Sequence, residues 1–187
     1  PDAAGEYTAI NNRRMFALDV REEKSRVLFL SGSLTWDTTF LKRVFDADSS
    51  LSVTALARLG SSWRNLNRPT VPERPSLDSG TLGPYALIVL MDMDGSQLPA
   101  SDWSAIADWV HRGGGLLVFG GGSPGGLGRL AGTAIAPLLP VDPSSGGGNG
   151  STGIVVELSA AGGRHPVAVV DENETANATL WMDLPPL

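Results

Sequence analysis

Residues 121–125 read Gly121-Gly122-Ser123-Pro124-Gly125, the G-x-S-x-G spacing of a nucleophile elbow. In that motif a sharp strand-to-helix turn presents a serine hydroxyl, here Ser123. Acyl transfer also needs a base and oxyanion donors, one of them the backbone N–H after the nucleophile. Pro124 has no such N–H. The usual hydrolase order of serine, acid and histidine would use His165, with Asp142 or Glu157 as the acid. Gly121, Gly122 and Ser123 could instead cradle a phosphate through backbone N–H groups. No lysine follows in Walker fashion, and the spacing is not G-x-G-x-x-G within a βαβ unit. The plainer reading is a glycine turn that lets a strand and a helix pack closely.

Asp92 and Asp94 follow an apolar run at 85–91, a place where carboxylates can hold Mg²⁺ or Ca²⁺. Asp37 is the candidate for a third oxygen ligand. Two acids at i, i+2 after a strand also serve as turn formers and cap partners. His111, near a helix end, and His165, before Pro166, have no neighbouring acid and read as structural. The chain has no cysteine, which removes disulfides, thiolate metal sites and thiol nucleophiles together. No cofactor is expected. The triplets beginning at Asn149, Asn173 and Asn177 match glycosylation sequons, a pattern common by chance.

The elements that must position these groups come from 187 residues, 42% hydrophobic and 18% charged, enough for one domain with a sizeable core. The net charge of -6 argues against nucleic acid, whose phosphates want a basic face, and against anionic lipid. No apolar run reaches the roughly 18 residues of a spanning helix. The chain opens on Pro1 and closes on Pro185-Pro186-Leu187, and we read it as a piece of a longer protein.

Residues 26–31 (RVLFLS) form a continuous apolar run, as a central parallel strand covered on both faces requires. Thr35 then caps a helix in which Trp36, Phe40 and Val44, and Leu41 and Phe45, recur at i, i+4. Further strands are expected at 51–58, 85–91, 116–119 (a short central strand) and 154–158. A helix capped by Ser101 runs to Arg112, with Trp103, Ile106, Ala107 and Val110 inward. Trp36, Trp103 and Trp109 read as core, although Trp36 could line a cleft mouth. The proline-rich stretch 59–84, anchored by Trp63 and Leu66, is too long for an ordinary connection and reads as a functional loop or surface flap. Residues 144–152 (SSGGGNGST) read as a flexible loop. Upstream, residues 13–20 alternate, with Phe16, Leu18 and Val20 on one face. That segment is expected outside the main core, as the terminal strand of a preceding β domain or an added edge strand. Strands alternating with helices imply a mainly parallel sheet whose ligands bind at the strands' carboxyl edge. That edge collects Ser33, Trp36, Asp37, Asp92, Asp94, Gly121, Gly122 and Ser123 as ligand-binding candidates.

Two stretches carry a family resemblance: RVLFLSGSLTWDTTFLKRVFDADSSLSVTALAR, and DWVHRGGGLLVFGGG followed by LLPV at 138–141. Residues 26–187 resemble the class I glutamine amidotransferase-like domain of uncharacterised bacterial membrane proteins, which often also carry a von Willebrand factor A domain. The upstream Asn11-Asn12 and alternating strand are similar to the end of an immunoglobulin-like domain that can precede it. The resemblance implies residues 1–24 as that terminal strand or a linker and residues 25–187 as a flavodoxin-like, doubly wound α/β domain with helices on both faces. Catalytic members of the superfamily place a cysteine on the turn matching 119–125, with His and Glu further along; no cysteine stands here. Glutaminase chemistry is therefore not implied. The expected role is a non-catalytic binding or interaction module of a membrane-anchored protein, on its extracytoplasmic side. Its partners would be proteins or other domains of the same chain, with the membrane reached only through flanking segments. The alternatives are a small-molecule or divalent-metal sensor at the carboxyl edge, and a serine hydrolase using Ser123.

Overall fold

The computed structural model describes residues 24–68, 75–120, 125–144 and 157–184. Among these residues five strands form one sheet: β1 (Ser25–Ser31), β2 (Leu51–Leu59), β3 (Ser62–Asn65), β4 (Leu87–Met91) and β5 (Gly115–Phe119). Their order is β3-β2-β1-β4-β5, with β2, β1, β4 and β5 parallel and β3 antiparallel at one edge. Among the described residues four α-helices accompany them: α1 (Trp36–Ala47), α2 (Ser79–Leu82), α3 (Ala100–His111) and α4 (Glu174–Met182). The protein is thus α/β, built on a mostly parallel sheet.

β1 and β4 are apolar on both faces because both faces are covered. Val27, Phe29, Ala55, Val89 and Met91 pack with Leu41 and Phe45 of α1. The Phe29 and Phe45 rings meet at 6.3 Å between centroids. On the alternate side, Leu28, Leu30, Leu56, Ile88 and Leu90 pack with Trp103, Ile106 and Trp109 of α3. The period of two along each strand divides one apolar run between two cores.

Thr35 does cap α1, in a reciprocal box: the Thr38 N–H donates to Thr35 Oγ1 and the Thr35 N–H to Thr38 Oγ1. α3 departs from expectation. It starts at Ala100 after Pro99, without a side-chain cap, so Ser101 lies inside the first turn. Pro99 already holds the extended backbone that precedes a helix, with φ of -63° and ψ of 156°. Gly113, at φ of +100°, ends α3 in a left-handed conformation that suits glycine.

Three further expectations are corrected. The strand over 116–119, expected to be central, has β4 as its one neighbour among the described residues, and its side chains are only partly covered. The stretch 59–84 is not simply a loop. Its residues 62–65 make a hairpin with β2 across Gly60 and Ser61, burying Trp63 and Asn65, and Leu77 and Leu82 are buried around α2. The two-residue Gly-Ser connection, with Gly60 at φ of +61°, is a hairpin signal that the prolines downstream obscured. Trp36 is not core: it is 88% exposed, and Phe40 is 71% exposed. The strand expectation for 13–20, residues 154–156 of that for 154–158 and the proline segment 69–74 lie outside the described residues, and Glu157 and Leu158 are not in a strand.

The closing residues form a local unit around α4. Asn173 caps the helix by accepting from the Thr175 and Ala176 N–H groups. Buried Asn177 accepts from the Val170 N–H and donates to the Ala168 carbonyl. That burial leaves the Asn177 amide no room for a glycan.

The two helix tryptophans should therefore behave oppositely. Trp103→Ala should cost about 3–5 kcal/mol of unfolding free energy, and Trp36→Ala should stay within about 0.5 kcal/mol. Chemical denaturation of both variants checks this, and a large loss at Trp36 would contradict it.

Candidate functional site

Strand order reverses beside β1: the chain goes first to β2 on one side and later to β4 on the other. In open α/β sheets the crevice at such a point, outside the carboxyl ends of the strands, is where ligands bind. Here β1 ends at Ser31 and β4 at Met91, so the crevice belongs to residues 32–35 and 92–97.

The two turns are sewn together. The Gly32 N–H donates to the Met91 carbonyl at 2.9 Å, and Gln97 Nε2 donates back to the Gly32 carbonyl at 2.8 Å. A Cβ on Gly32 would lie 2.1 Å from the Asp92 carbonyl oxygen, so only glycine permits this approach. Gln97 Oε1 accepts from the Asp94 N–H, and Arg58 Nη1 donates to the Gln97 carbonyl. Ser33 is held by its own carbonyl, which accepts from Ser31 Oγ at 2.6 Å and from Thr38 Oγ1 at 3.1 Å.

Asp92 is the centre of this knot. Its side chain is buried, and its backbone sits at φ of +49°, the only non-glycine residue with positive φ among the described residues. Aspartate tolerates that region better than most side chains, yet it still costs free energy and is kept where surroundings impose it. Ser33 Oγ donates to Asp92 Oδ2 at 2.5 Å, and Arg129 Nη1 to Asp92 Oδ1 at 3.1 Å. Arg129 Nε donates to Asp94 Oδ2 at 3.1 Å, so one guanidinium joins both carboxylates. Asp94 Oδ1 accepts from the Ser96 hydroxyl and N–H. Those two bonds, with a smaller contribution from Arg129, hold the Asp94 carboxyl below its ordinary value against the opposing effect of burial.

Ser33, Asp92 and Asp94 are thus brought together, with Arg129 between the acids. Trp36 and Asp37 are not part of the group: both are exposed on α1. Among the described residues, no three Asp, Glu or His side chains gather as a metal site, so Asp37 does not join Asp92 and Asp94 as a third ligand. A guanidinium occupies the position between the acids that a cation would need. Gly121, Gly122 and Ser123 lie outside the described residues. Asp142 accepts from Ser144 in its own turn, which lowers its carboxyl, and Glu157 and His165 are exposed. A depression of about 580 Å³, open to solvent, lies beside Asp94, Arg129, Trp103 and Thr133. Sequence reasoning missed Arg129 and Gln97. The signal for Arg129 was the need itself: two acids closing a buried strand require a counter-charge.

The pair should be structural in its energetics. Arg129→Met removes the guanidinium that joins the buried Asp92 to Asp94 and should cost about 3 kcal/mol. Because Asp94 is depressed in the folded state, its stabilisation is complete above the ordinary carboxylate value of about 4 and is lost as pH falls below it. Unfolding free energies between pH 6 and pH 2.5 should fall on the acid side, less steeply in Asp94→Asn. An equal slope in that variant would contradict the assignment.

Comparison of the chain with protein-family models, with curated proteins and with solved structures finds no match, so the chemistry of its own residues is what bears on function.

Proposed function

We propose that this chain is a non-catalytic interaction domain that docks another polypeptide segment on the outer face of α1. The observation that carries this reading is the stripe Trp36, Phe40 and Val44, at i, i+4 and i+8, all solvent-exposed, continued by exposed Leu34. A helix normally turns such a stripe to the core. α1 already packs the partly buried Leu41 and Phe45 against the sheet, so it carries apolar side chains on two faces. Contiguous exposed apolar patches of this kind mark interaction sites, and aromatic side chains are the usual anchors.

The non-catalytic half of the proposal is supported by the carboxyl edge. At the crevice that would receive a ligand, Ser33, Gln97, Asp92 and Arg129 spend polar groups on one another or on backbone, beside a depression open to solvent. The absence of cysteine and the proline after Ser123 point the same way. The β2-β1-β4-β5 order, with α1 and α3 packed in separate cores, suits a doubly wound, flavodoxin-like domain, as the amidotransferase-like resemblance implies. On that resemblance the domain belongs to a membrane-anchored protein and works on its extracytoplasmic side, with other domains of the same chain as its first partners. No described helix is long and apolar enough to cross a membrane, so the anchor would lie elsewhere.

A photo-crosslinking residue at position 40 tests the docking claim, with the same residue at exposed Thr81 as control. Position 40 should give polypeptide adducts resolved by mass spectrometry, and position 81 should not. Equal, sparse labelling at both positions would remove the claim. Separately, glutamine and activated esters should be hydrolysed no faster than background, with no change on Ser123→Ala. Activity abolished by that substitution would establish a hydrolase instead.

A further inference from the structure

Of residues 157–184 only Asn177 is buried, although the segment folds around α4. The unit exposes Val167, Val170, Leu180, Met182 and Leu184 instead. Apolar burial is the main favourable contribution to folding, and here it offsets little of the entropy lost in ordering the chain. The unit shares the defect of the outer face of α1, apolar surface without cover. Within one copy neither covers the other, since both remain exposed.

The two surfaces suit each other in length and charge. Trp36 to Val44 rises about 12 Å along α1, and Glu174 to Met182 rises the same along α4. Residues 165–184 carry Asp171, Glu172, Glu174 and Asp183 and no lysine or arginine. Arg43 is exposed between Phe40 and Val44 and makes no ion pair among the described residues. An α4 laid antiparallel on α1 brings Glu174 and the acids before it to Arg43. Leu180, about 9 Å further along, then falls between Trp36 and Phe40, and Leu184 continues toward exposed Leu34. Area decides how many contacts are needed. Two aromatic rings and a valine bury on the order of 500 Å², below the roughly 800 Å² per partner of a standard interface. Two copies related by a two-fold axis make the contact twice, each giving α1 and receiving the other's α4. Each copy then buries about 1,000 Å², which clears that size.

We infer that the occupant of α1 is the closing unit of a second copy of this chain, in a two-fold dimer that packs α4 of each copy on Trp36, Phe40 and Val44 of the other. This rests on the reading of α1 as a docking surface and names its partner. The dimer covers both exposed surfaces at once and orders the unit around α4.

The absence of native cysteine makes the test direct. Val44→Cys and Glu174→Cys, in separately purified full chains, leave Trp36, Phe40 and Leu180 in place. Mixed and mildly oxidised, they should form a 44–174 disulfide about tenfold or more faster than Thr81→Cys mixed with Glu174→Cys. Sedimentation should show a monomer–dimer equilibrium in the parent chain. Phe40→Asp and Leu180→Asp should each raise its dissociation constant about tenfold or more, and Arg43→Glu should raise it most at low salt. Far-UV circular dichroism of each variant should match the parent. A monomer at every concentration, or a dimer that survives Phe40→Asp and Leu180→Asp, would overturn the inference. So would disulfides that join position 44 mainly to position 44, which place α1 on α1. An intrachain bridge in the Val44→Cys, Glu174→Cys double variant would put the unit on its own α1 and overturn it too. Adducts from position 40 to some other polypeptide would defeat the second copy while leaving the docking surface in place. No adducts at all would defeat both.

Discussion

A buried carboxylate must have its charge answered, and at Asp92 that requirement organises the top of the sheet. Asp92 closes β4 at 2% exposure. An uncompensated charge there would cost several kcal/mol. Ser33 answers from the turn after β1, and Arg129 answers from the segment after β5. Three stretches distant in sequence are thereby drawn to one point. Gly32 is required because Ser33 can reach Asp92 only if the two turns approach within backbone contact. Gln97 stitches the same approach from the other side. An arrangement of this kind spends its polar groups on one another, leaving few to bind or transform a ligand.

The second organising fact is how apolar surface is distributed between the two long helices. α3 buries Trp103, Ile106, Ala107 and Trp109 and leaves its polar residues outward, as a helix covering a sheet should. α1 is covered on its inner side through Leu41 and Phe45 but exposes Trp36, Phe40 and Val44. Folding of the described residues does not require those side chains, and their exposure carries a solubility cost. Under the proposed docking function, coverage by another polypeptide accounts for them.

Much of the fold was legible because it rests on strong periodic signals. The uninterrupted runs at 26–31 and 85–91 announced central strands, and the Thr35 cap set the start of α1. Trp36 misled because i, i+4 periodicity reports an apolar face without saying what covers it, and α1 has two such faces. The apolar composition of β5 suggests a central strand, yet among the described residues it has one neighbour, and a strand so placed can be apolar too. β3 was hidden by its four-residue length and by the prolines that follow. At the site, Asp92, Asp94 and Ser33 were legible as residues of the carboxyl edge. Arg129 was not, since no local spacing ties it to acids 35 and 37 positions away.

Hydroxyl-radical footprinting of Trp36 and Phe40 in the intact chain reads the account's central claim, that a polypeptide covers the outer face of α1. Both side chains should be oxidised several-fold more slowly than their intrinsic reactivity and their exposure on the bare helix require. Oxidation at the full rate of freely exposed rings would contradict the claim and leave α1 without an occupant.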